Sequence, residues 1–174
     1  YVVNNYMLGK DAMPFDLLYW NADSTRMPAG VHSFYLRDCY LHNRLSQGRM
    51  VLDNVRIDLK KATLPIYNLA TREDHIAPAA SAYRIGQAFG GETRFVLAAS
   101  GHIAGVVNPP EAQKYQYWTN DQSAPDFEAW LKGATEHAGS WWPDWLKWIA
   151  PKSGKKVKAR IPGEGKLKAI EDAP

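Results

Sequence analysis

Two mostly apolar runs in the middle of the chain predict buried β-strands that lie side by side. They cover residues 64–70 and residues 94–99. Between them, Pro78 is placed to begin a helix over residues 79–89, which ends at Gly90 and Gly91. A strand, a crossover helix and a second strand of these lengths favour a parallel pair. The predicted fold class is therefore α/β.

The regions on either side of this unit differ from it in pattern. Apolar residues recur at helical spacing within residues 1–50, with the better helix over residues 32–45 and a stop at Gly48. Residues 51–59 alternate as in an edge hairpin. After a rigid turn at residues 108–110, helices are predicted over residues 126–135 and 140–150, and a basic segment follows that we expect to be ordered only in part. These changes divide the chain into residues 1–63, 64–150 and 151–174.

Each central strand is followed by a turn that carries a side chain suited to acid–base chemistry. Asp74 follows the first strand, and His102, with Gly101 before it and Gly105 after it, follows the second. Because parallel strands end at the same edge of a sheet, both side chains should leave the sheet at that edge. A carboxylate that bonds the imidazole Nδ1 fixes the tautomer and stabilises the imidazolium, so the histidine can act as a general base. An acid followed by a histidine matches the later part of the order nucleophile, acid, histidine in α/β-hydrolase enzymes.

Other interpretations of these residues stay open. Asp74 could cap the helix that begins near Pro78, or it could be one member of an exposed acid pair with Glu73. His102 could bond only a backbone carbonyl. The side chain of His75 should point away from Asp74, which favours a structural or pocket-lining role. A metal site built from Asp74, His75 and His102 is disfavoured, since their spacing matches no familiar ligand motif. Trp20 either lines the mouth of a pocket or anchors its own helical segment.

The nucleophile that this order requires is not found in the chain. No G-x-S-x-G or G-x-C-x-G sequence occurs in the 174 residues. The single cysteine, Cys39, lies in a helical segment without flanking glycines, which favours a core or interface role. The first residue is Tyr1 rather than methionine. We expect a fragment, the later half of a catalytic domain whose nucleophile lies upstream.

Composition narrows the class of function. A hydrophobic content of 45% excludes a generally disordered chain. The formal net charge is only +3, and a basic tail without a folded basic face or an aromatic platform argues against nucleic-acid binding. We expect no membrane span, since no run approaches the roughly 20 apolar residues that such a helix needs, and no signal peptide opens the chain. A lone cysteine fits a reducing compartment, so the expected location is the cytoplasm.

Several longer motifs together resemble one enzyme family. They are FDLLYWNADST at residues 15–25, YLR at residues 35–37, TREDHI at residues 71–76, SGHIAGVVNPP at residues 100–110 and GSWWPDW at residues 139–145. In this order, and over essentially the whole chain, they are similar to the C-terminal part of polyhydroxyalkanoate synthases, most like the class I enzymes.

The resemblance implies an α/β-hydrolase fold, of which this chain would be the C-terminal half. In that family a cysteine carries the growing polyester as a thioester, and a histidine and an aspartate complete the triad. Asp74 and His102 occupy the matching motifs. Residues 1–63 would include part of a lid, or cap, over the active site, and Trp20 and His75 are candidates to line it.

The resemblance also implies a substrate and partners. The substrate would be (R)-3-hydroxyacyl-CoA, which is added to a growing polyester chain with release of CoA and without a cofactor. The partners would be a second copy of the chain in a homodimer and the surface of cytoplasmic polyester granules. Because the chain lacks a nucleophile box, we expect it to be inactive alone.

Two alternatives use the same features. A serine esterase or depolymerase of the same fold would share Asp74 and His102 and release free hydroxy acids. A non-catalytic granule-binding module would use the tryptophans of residues 141–148 as an adhesive surface. Rings three and four positions apart on a helix are, however, more typical of a core or a subunit contact.

Overall fold

The structure is a computed structural model that describes residues 2–11, 16–161, 163–168 and 170–171. Phe15, which the sequence places in a helical segment, lies outside the described residues, as do positions 162, 169 and 172–174 of the basic tail. The chain divides into two units, Tyr1–Asp58 and Leu59–Pro174.

The first unit is mainly helical. It contains a π-helix at Val2–Met7, helices α1 (Asp16–Ala22) and α2 (Ala29–Phe34), and a second π-helix at Tyr35–Leu41. The predicted helix over residues 32–45 thus begins earlier and ends earlier. It ends before Gly48 because Asn43 already adopts a left-handed conformation, with φ of 44°.

The predicted hairpin of the first unit is confirmed, although its strands are short. Strand β1 (Val51–Leu52) pairs antiparallel with β2 (Val55–Arg56). Both turn residues, Asp53 and Asn54, have positive φ angles, as a tight two-residue hairpin turn requires.

The second unit is built on a mixed sheet. Its four described strands lie in the order β3 (Ile66–Thr71), β4 (Thr93–Ala98), β5 (Gln116–Thr119) and β6 (Thr135–Ala138). The pair β3 and β4 is parallel and is joined by helix α3 (Ala79–Gly86), so the predicted βαβ unit is confirmed. The pairs β4–β5 and β5–β6 are antiparallel. The fold class is therefore α/β with a mixed sheet.

Three further helices complete this unit. They are α4 (Ala104–Val107), α5 (Phe127–Lys132) and α6 (Trp142–Ile149). Short 3-10 turns cover Leu59–Lys61, Pro110–Ala112 and Ala150–Lys152, and no helix or strand follows Lys152 among the described residues. None of the helices in the described part of the chain is long and apolar enough to cross a membrane.

Over residues 116–138 the sequence prediction is confirmed only in part, since a helix is present but two strands were missed. Strands β5 and β6 were not predicted, and the helix predicted over residues 126–135 is shorter. Asp126 caps α5 by accepting a hydrogen bond from the Ala129 amide at 2.8 Å, and the helix ends before Gly133. Thr135 then begins β6. Both strands have only four residues, which is too short for an alternating pattern to be recognised, although Tyr117, Trp118 and Thr119 of β5 favour a strand.

The core lies on both faces of the sheet, because side chains alternate along β4. Phe95 and Leu97 pack on one face with α3 and α5, in a cluster that includes Tyr83 and Trp130. Val96 and Ala98 pack on the other face against Trp141. A β4 buried on both faces explains its almost continuous apolar sequence.

A polar cluster fixes α6 to the sheet. The Arg94 guanidinium donates from Nε and Nη2 to the two carboxylate oxygens of Asp144, at 2.9 and 2.7 Å. The Tyr67 hydroxyl donates to Asp144 Oδ2 at 2.9 Å. Burial by itself raises the pKa of Asp144, but the hydrogen bonds from Arg94 and Tyr67 outweigh it and hold the pKa below the usual carboxyl value. Asp144 is therefore ionised and ties α6 to β3 and β4.

We expect Asp144→Asn to lower the free energy of unfolding by about 2–3 kcal/mol at pH 7, because the Asp144 side chain is only 14% exposed and its loss leaves Arg94 without a partly buried counterion. Urea unfolding of the full chain measures this change. The stabilisation is present above the ordinary carboxyl pKa of about 3.9 and disappears as the pH falls through the lower folded pKa. The difference between the two proteins should therefore shrink below about pH 4.

Asp121→Asn is the matched control. Asp121 also pairs with Arg94, at 2.8 Å, but its side chain is 87% exposed. Its removal should change the stability by less than about 1 kcal/mol. Equal losses in the two variants would contradict the role assigned to Asp144.

Candidate active site

The loops that follow β3 and β4 carry Asp74 and His102, and backbone hydrogen bonds join these two loops at the carboxyl ends of the strands. The Arg72 amide donates to the Ala98 carbonyl at 2.8 Å, and the Glu73 amide donates to the Ser100 carbonyl at 3.0 Å. The pairing of the two strands therefore continues past their ends. It places Asp74 next to the loop that carries His102.

The structure brings the Asp74 carboxylate to the imidazole of His102. Asp74 Oδ2 lies 3.3 Å from His102 Nδ1. Asp74 Oδ1 accepts hydrogen bonds from the amides of Ile76 and Ala77, at 2.8 and 2.9 Å. The carboxylate thus closes its own turn with one oxygen and faces the histidine with the other. It does not cap α3, which has Pro78 at its N-cap and no side-chain cap.

The environment keeps Asp74 ionised. The hydrogen bond from the Ala77 amide is the largest cause that lowers its pKa below the usual carboxyl value, while burial acts in the opposite direction. The Ile76 amide and the His102 ring lower the pKa further. An ionised carboxylate opposite Nδ1 favours the tautomer with the proton on that nitrogen. Nε2 is then the nitrogen that can take a proton.

Exposure differs between the two members of this pair. The Asp74 side chain is 10% exposed, and that of His102 is 45% exposed. The carboxylate is therefore shielded from water, and the imidazole can be reached from outside. This is the arrangement that a general base and its orienting acid require.

The segment between β4 and α4, which carries His102, is here called the histidine loop. One of the two glycines that flank His102 is needed for close packing. A Cβ on Gly105 would overlap the Ala99 carbonyl oxygen and the Thr71 side chain, whereas a Cβ on Gly101 would meet open space. The left-handed residue of the loop is Ser100, with φ of 68°. Of the two glycines that flank His102, only Gly105 is therefore required by close packing.

The other predicted residues lie elsewhere or make no contact with the pair. His75 is exposed and makes no hydrogen bond or ion pair within the described part of the chain. Trp20 is exposed in α1, and Cys39 is partly buried in the π-helix Tyr35–Leu41, both in the first unit. The roles suggested for His75 and Trp20 stay predictions. Among the described residues, no group of three or more His, Cys, Asp or Glu side chains could hold a metal ion.

A separate cavity of about 410 Å³ lies at the opposite edge of the sheet. Its lining includes Thr93 at the start of β4 and Asn120 directly after β5. Neither Asp74 nor His102 borders it. The candidate chemistry is therefore at the exposed end of the parallel pair and not in this cavity.

Sequence reasoning did not connect the tryptophans of α6 with the histidine loop. The indole N–H groups of Trp141 and Trp142 bond the carbonyls of Val106 and Val107, which end α4. The motif GSWWPDW was a visible signal, but helical spacing alone predicts packing. The long-range hydrogen bonds depend on how α6 lies on the sheet.

Similarity to known proteins extends over the full chain. The chain is 57% identical to the poly(3-hydroxyalkanoate) polymerase subunit PhaC of Rhizobium etli. The match covers 174 residues, which are 100% of this chain and 27% of that protein. The PhaC subunits of Rhizobium meliloti and Cupriavidus necator are 59% and 46% identical, again over 100% of this chain and over 28% and 30% of their own lengths. By sequence, this chain belongs to the poly(3-hydroxyalkanoate) polymerase family.

The recognition made from the motifs is thus confirmed at the level of the family. The chain spans less than a third of the length of the polymerases that it matches. No protein-family model matches it.

We expect Gly105→Ala to destabilise the protein by about 1–3 kcal/mol, because the added methyl group must displace backbone at Ala99. Gly101→Ala is the matched control, since its Cβ meets nothing within 4 Å. Urea unfolding of the two variants measures the difference. Similar stabilities for both would show that the loop does not pack as described.

We expect the Asp74 carboxyl to keep a pKa below its usual value in the variant His102→Ala. The largest cause of the lowering is the Ala77 amide, and this hydrogen bond does not involve the histidine. A ¹³C NMR titration of the side-chain carboxyl measures the pKa in both proteins. A return to the ordinary value in His102→Ala would mean that the imidazole, not the turn, controls this carboxylate.

Proposed function

We propose that this chain supplies the acid–base pair of a polymerase that joins (R)-3-hydroxyacyl units from CoA thioesters into a polyester and releases CoA. The observation that carries the proposal is the 3.3 Å contact between Asp74 Oδ2 and His102 Nδ1. The polymerase names of the relatives support the choice of reaction.

Covalent catalysis is the mechanism that this pair suits. The nucleophile would be a cysteine from a segment outside these 174 residues, since Cys39 is the single cysteine here and lies in a helix. His102 Nε2 would accept the thiol proton while the thiolate attacks the thioester carbonyl of the substrate. The departing CoA thiolate would then take that proton from the imidazolium, which leaves an acyl-enzyme.

Chain growth would use the same histidine a second time. His102 would remove the proton from a 3-hydroxyl group as its oxygen attacks the acyl-enzyme, and the cysteine would leave as the thiol. In both steps Asp74 would stabilise the imidazolium and hold the ring in one orientation. No cofactor is needed, because the thioester is already activated.

The proposal extends to the fold and to the location of the complete polymerase. We assign an α/β-hydrolase fold, which is supported by an acid and a histidine at the carboxyl ends of adjacent parallel strands. Residues 1–63 would contribute to a lid over the active site, with Trp20 and His75 near the substrate. The polymerase would act in the cytoplasm as a homodimer at the surface of polyester granules.

The other two functions have less support. An esterase or depolymerase would share the Asp74–His102 pair, but the similar proteins carry polymerase names. A granule-binding module would need an exposed tryptophan surface, and Trp141 is 7% exposed in contact with β4.

The test uses a chimera in which this chain replaces the matching 28% of the Rhizobium meliloti polymerase. We expect His102→Ala to lower the rate of CoA release by about 10²–10⁴-fold, because proton transfer by a positioned base contributes a factor of this size. Asp74→Asn should lower kcat as well, since the ring loses the charge that stabilises its protonated form. CoA release from a 3-hydroxyacyl-CoA, measured with a thiol reagent, reports both effects.

Glu73→Gln is the matched control for the acid. Glu73 is the neighbouring carboxylate, and its side chain is exposed. It should leave the rate near that of the unmodified chimera. A nearly normal rate in His102→Ala would overturn the proposed function.

A further inference from the structure

The histidine loop runs directly into a helix that is too short to stabilise itself. Helix α4, Ala104–Val107, has only four residues and begins two positions after His102. A single helical turn is unstable in water because its nucleation is costly, and its last carbonyls have no partner within the helix. The position of His102 therefore depends on contacts that hold α4 from outside.

Two such contacts come from the start of α6, where Trp141 is the N-cap residue and Trp142 is the first residue of the helix. Trp141 Nε1 donates to the Val106 carbonyl at 3.0 Å, and Trp142 Nε1 donates to the Val107 carbonyl at 3.1 Å. The two indole rings stack on each other, with centroids 4.5 Å apart and an angle of 23° between their planes. A stacked pair of rings thus satisfies two successive carbonyls at the end of α4.

The tryptophans are themselves held by the strands that carry the site. Trp141 is buried against Val96 and Ala98 of β4. One turn further along, Asp144 of α6 bonds Tyr67 of β3 and Arg94 of β4. The anchor of α4 is therefore fixed to the same two strands that lead to Asp74 and His102.

The N-terminal end of α4, next to His102, is fixed by close packing. The Gly105 amide donates to the Gly101 carbonyl at 2.8 Å, and Gly105 lies against Ala99 and Thr71 without room for a side chain. His102 thus stands between a packed glycine and the strand end. The indoles restrain the opposite end of the same turn.

We infer that Trp141 and Trp142 are positioning residues, whose indole N–H groups hold α4 so that His102 Nδ1 faces Asp74. This inference rests on the proposed function, because positioning has a catalytic meaning only where His102 transfers protons. The separation of 3.3 Å between Nδ1 and Oδ2 is at the long end for a hydrogen bond. A small displacement of α4 breaks this contact.

The first test measures the anchor without any activity assay. Trp142 in the full 174-residue chain is replaced by 3-benzothienylalanine, which keeps the shape of the ring and has sulfur in place of the N–H group. Amide hydrogen exchange of Gly105 and Val107, followed by NMR, should become about tenfold faster, as expected for the loss of one hydrogen bond. Trp142→Phe is a second variant, and it should also make the amide exchange of Gly105 and Val107 faster.

Trp145 supplies the matched control. It lies on the same helix, and its ring packs edge-on against Trp142. The same replacement at position 145 should leave the exchange of Gly105 and Val107 within about twofold of the unmodified chain. Equal effects at positions 142 and 145, or no effect at position 142, would overturn the inference and leave the tryptophans with a packing role only.

The second test uses the chimera and separates binding from catalysis. Trp142→Phe should lower kcat about tenfold without a comparable change in KM, since the substrate does not need the indole N–H to bind. In the Asp74→Ala background the same substitution should have little further effect, because the contact between Asp74 and His102 that the indole protects is already absent. A purely structural role would instead give additive losses, which would overturn the inference.

The two proposals fail in different ways. In one outcome, His102→Ala leaves the chimera active while the amide exchange of Gly105 and Val107 still depends on the indole at position 142. The proposed function is then wrong, and the indoles hold α4 without a role in catalysis. If His102→Ala abolishes activity, and replacing the indole at position 142 does not change the amide exchange of Gly105 and Val107, only the inference is wrong.

Discussion

The parallel pairing of β3 with β4 is the constraint on which the candidate site depends. The strands pair in register from Ile66 opposite Thr93 to Thr71 opposite Ala98, and two further backbone hydrogen bonds continue the pairing into the loops. A shift of register would separate Asp74 from His102 by the rise of a residue, about 3.3 Å, and break their contact. The positions of the two side chains are thus set by the same hydrogen bonds that build the sheet.

The second face of the sheet controls the rest of the site. Helix α6 is fixed there by a partly buried ion pair, a tyrosine hydroxyl and a buried indole. From that position its first two tryptophan rings reach the end of α4. Packing, charge and hydrogen bonding on one face are therefore linked to the orientation of an imidazole at the edge of the sheet.

Asp74 shows how one side chain serves the fold and the chemistry together. One of its oxygens completes a turn with the amides of Ile76 and Ala77, and the other faces His102. The turn lowers the carboxyl pKa, so the charge that the imidazolium needs is already supplied by local structure. The sequence left a helix cap and a histidine partner as alternative roles for Asp74. In the structure Asp74 does not cap α3, but it faces His102 and also closes the turn before that helix.

Much of this protein is determined by the sequence alone. Near-continuous apolar runs predict β3 and β4, Pro78 marks the start of the connecting helix, and the motifs around Asp74 and His102 identify the family. The end of that helix is Gly86, three residues before the predicted end. These features are local, so their physical causes are present in a few consecutive residues. The pair of site residues follows because parallel strands must end at one edge.

Tertiary structure decided what local pattern does not encode. Strands β5 and β6 exist because β5 pairs with β4 and with β6. Tyr117, Trp118 and Thr119 favour a strand, but a segment of four residues is too short to predict one by itself. Ser100 adopts a left-handed conformation because its carbonyl must meet the Glu73 amide of the neighbouring loop. The indoles of Trp141 and Trp142 reach carbonyls 35 positions earlier in the chain only because Asp144 and Arg94 hold α6 on the sheet. Each of these features depends on groups far apart in sequence, and folding alone brings them within hydrogen-bonding distance.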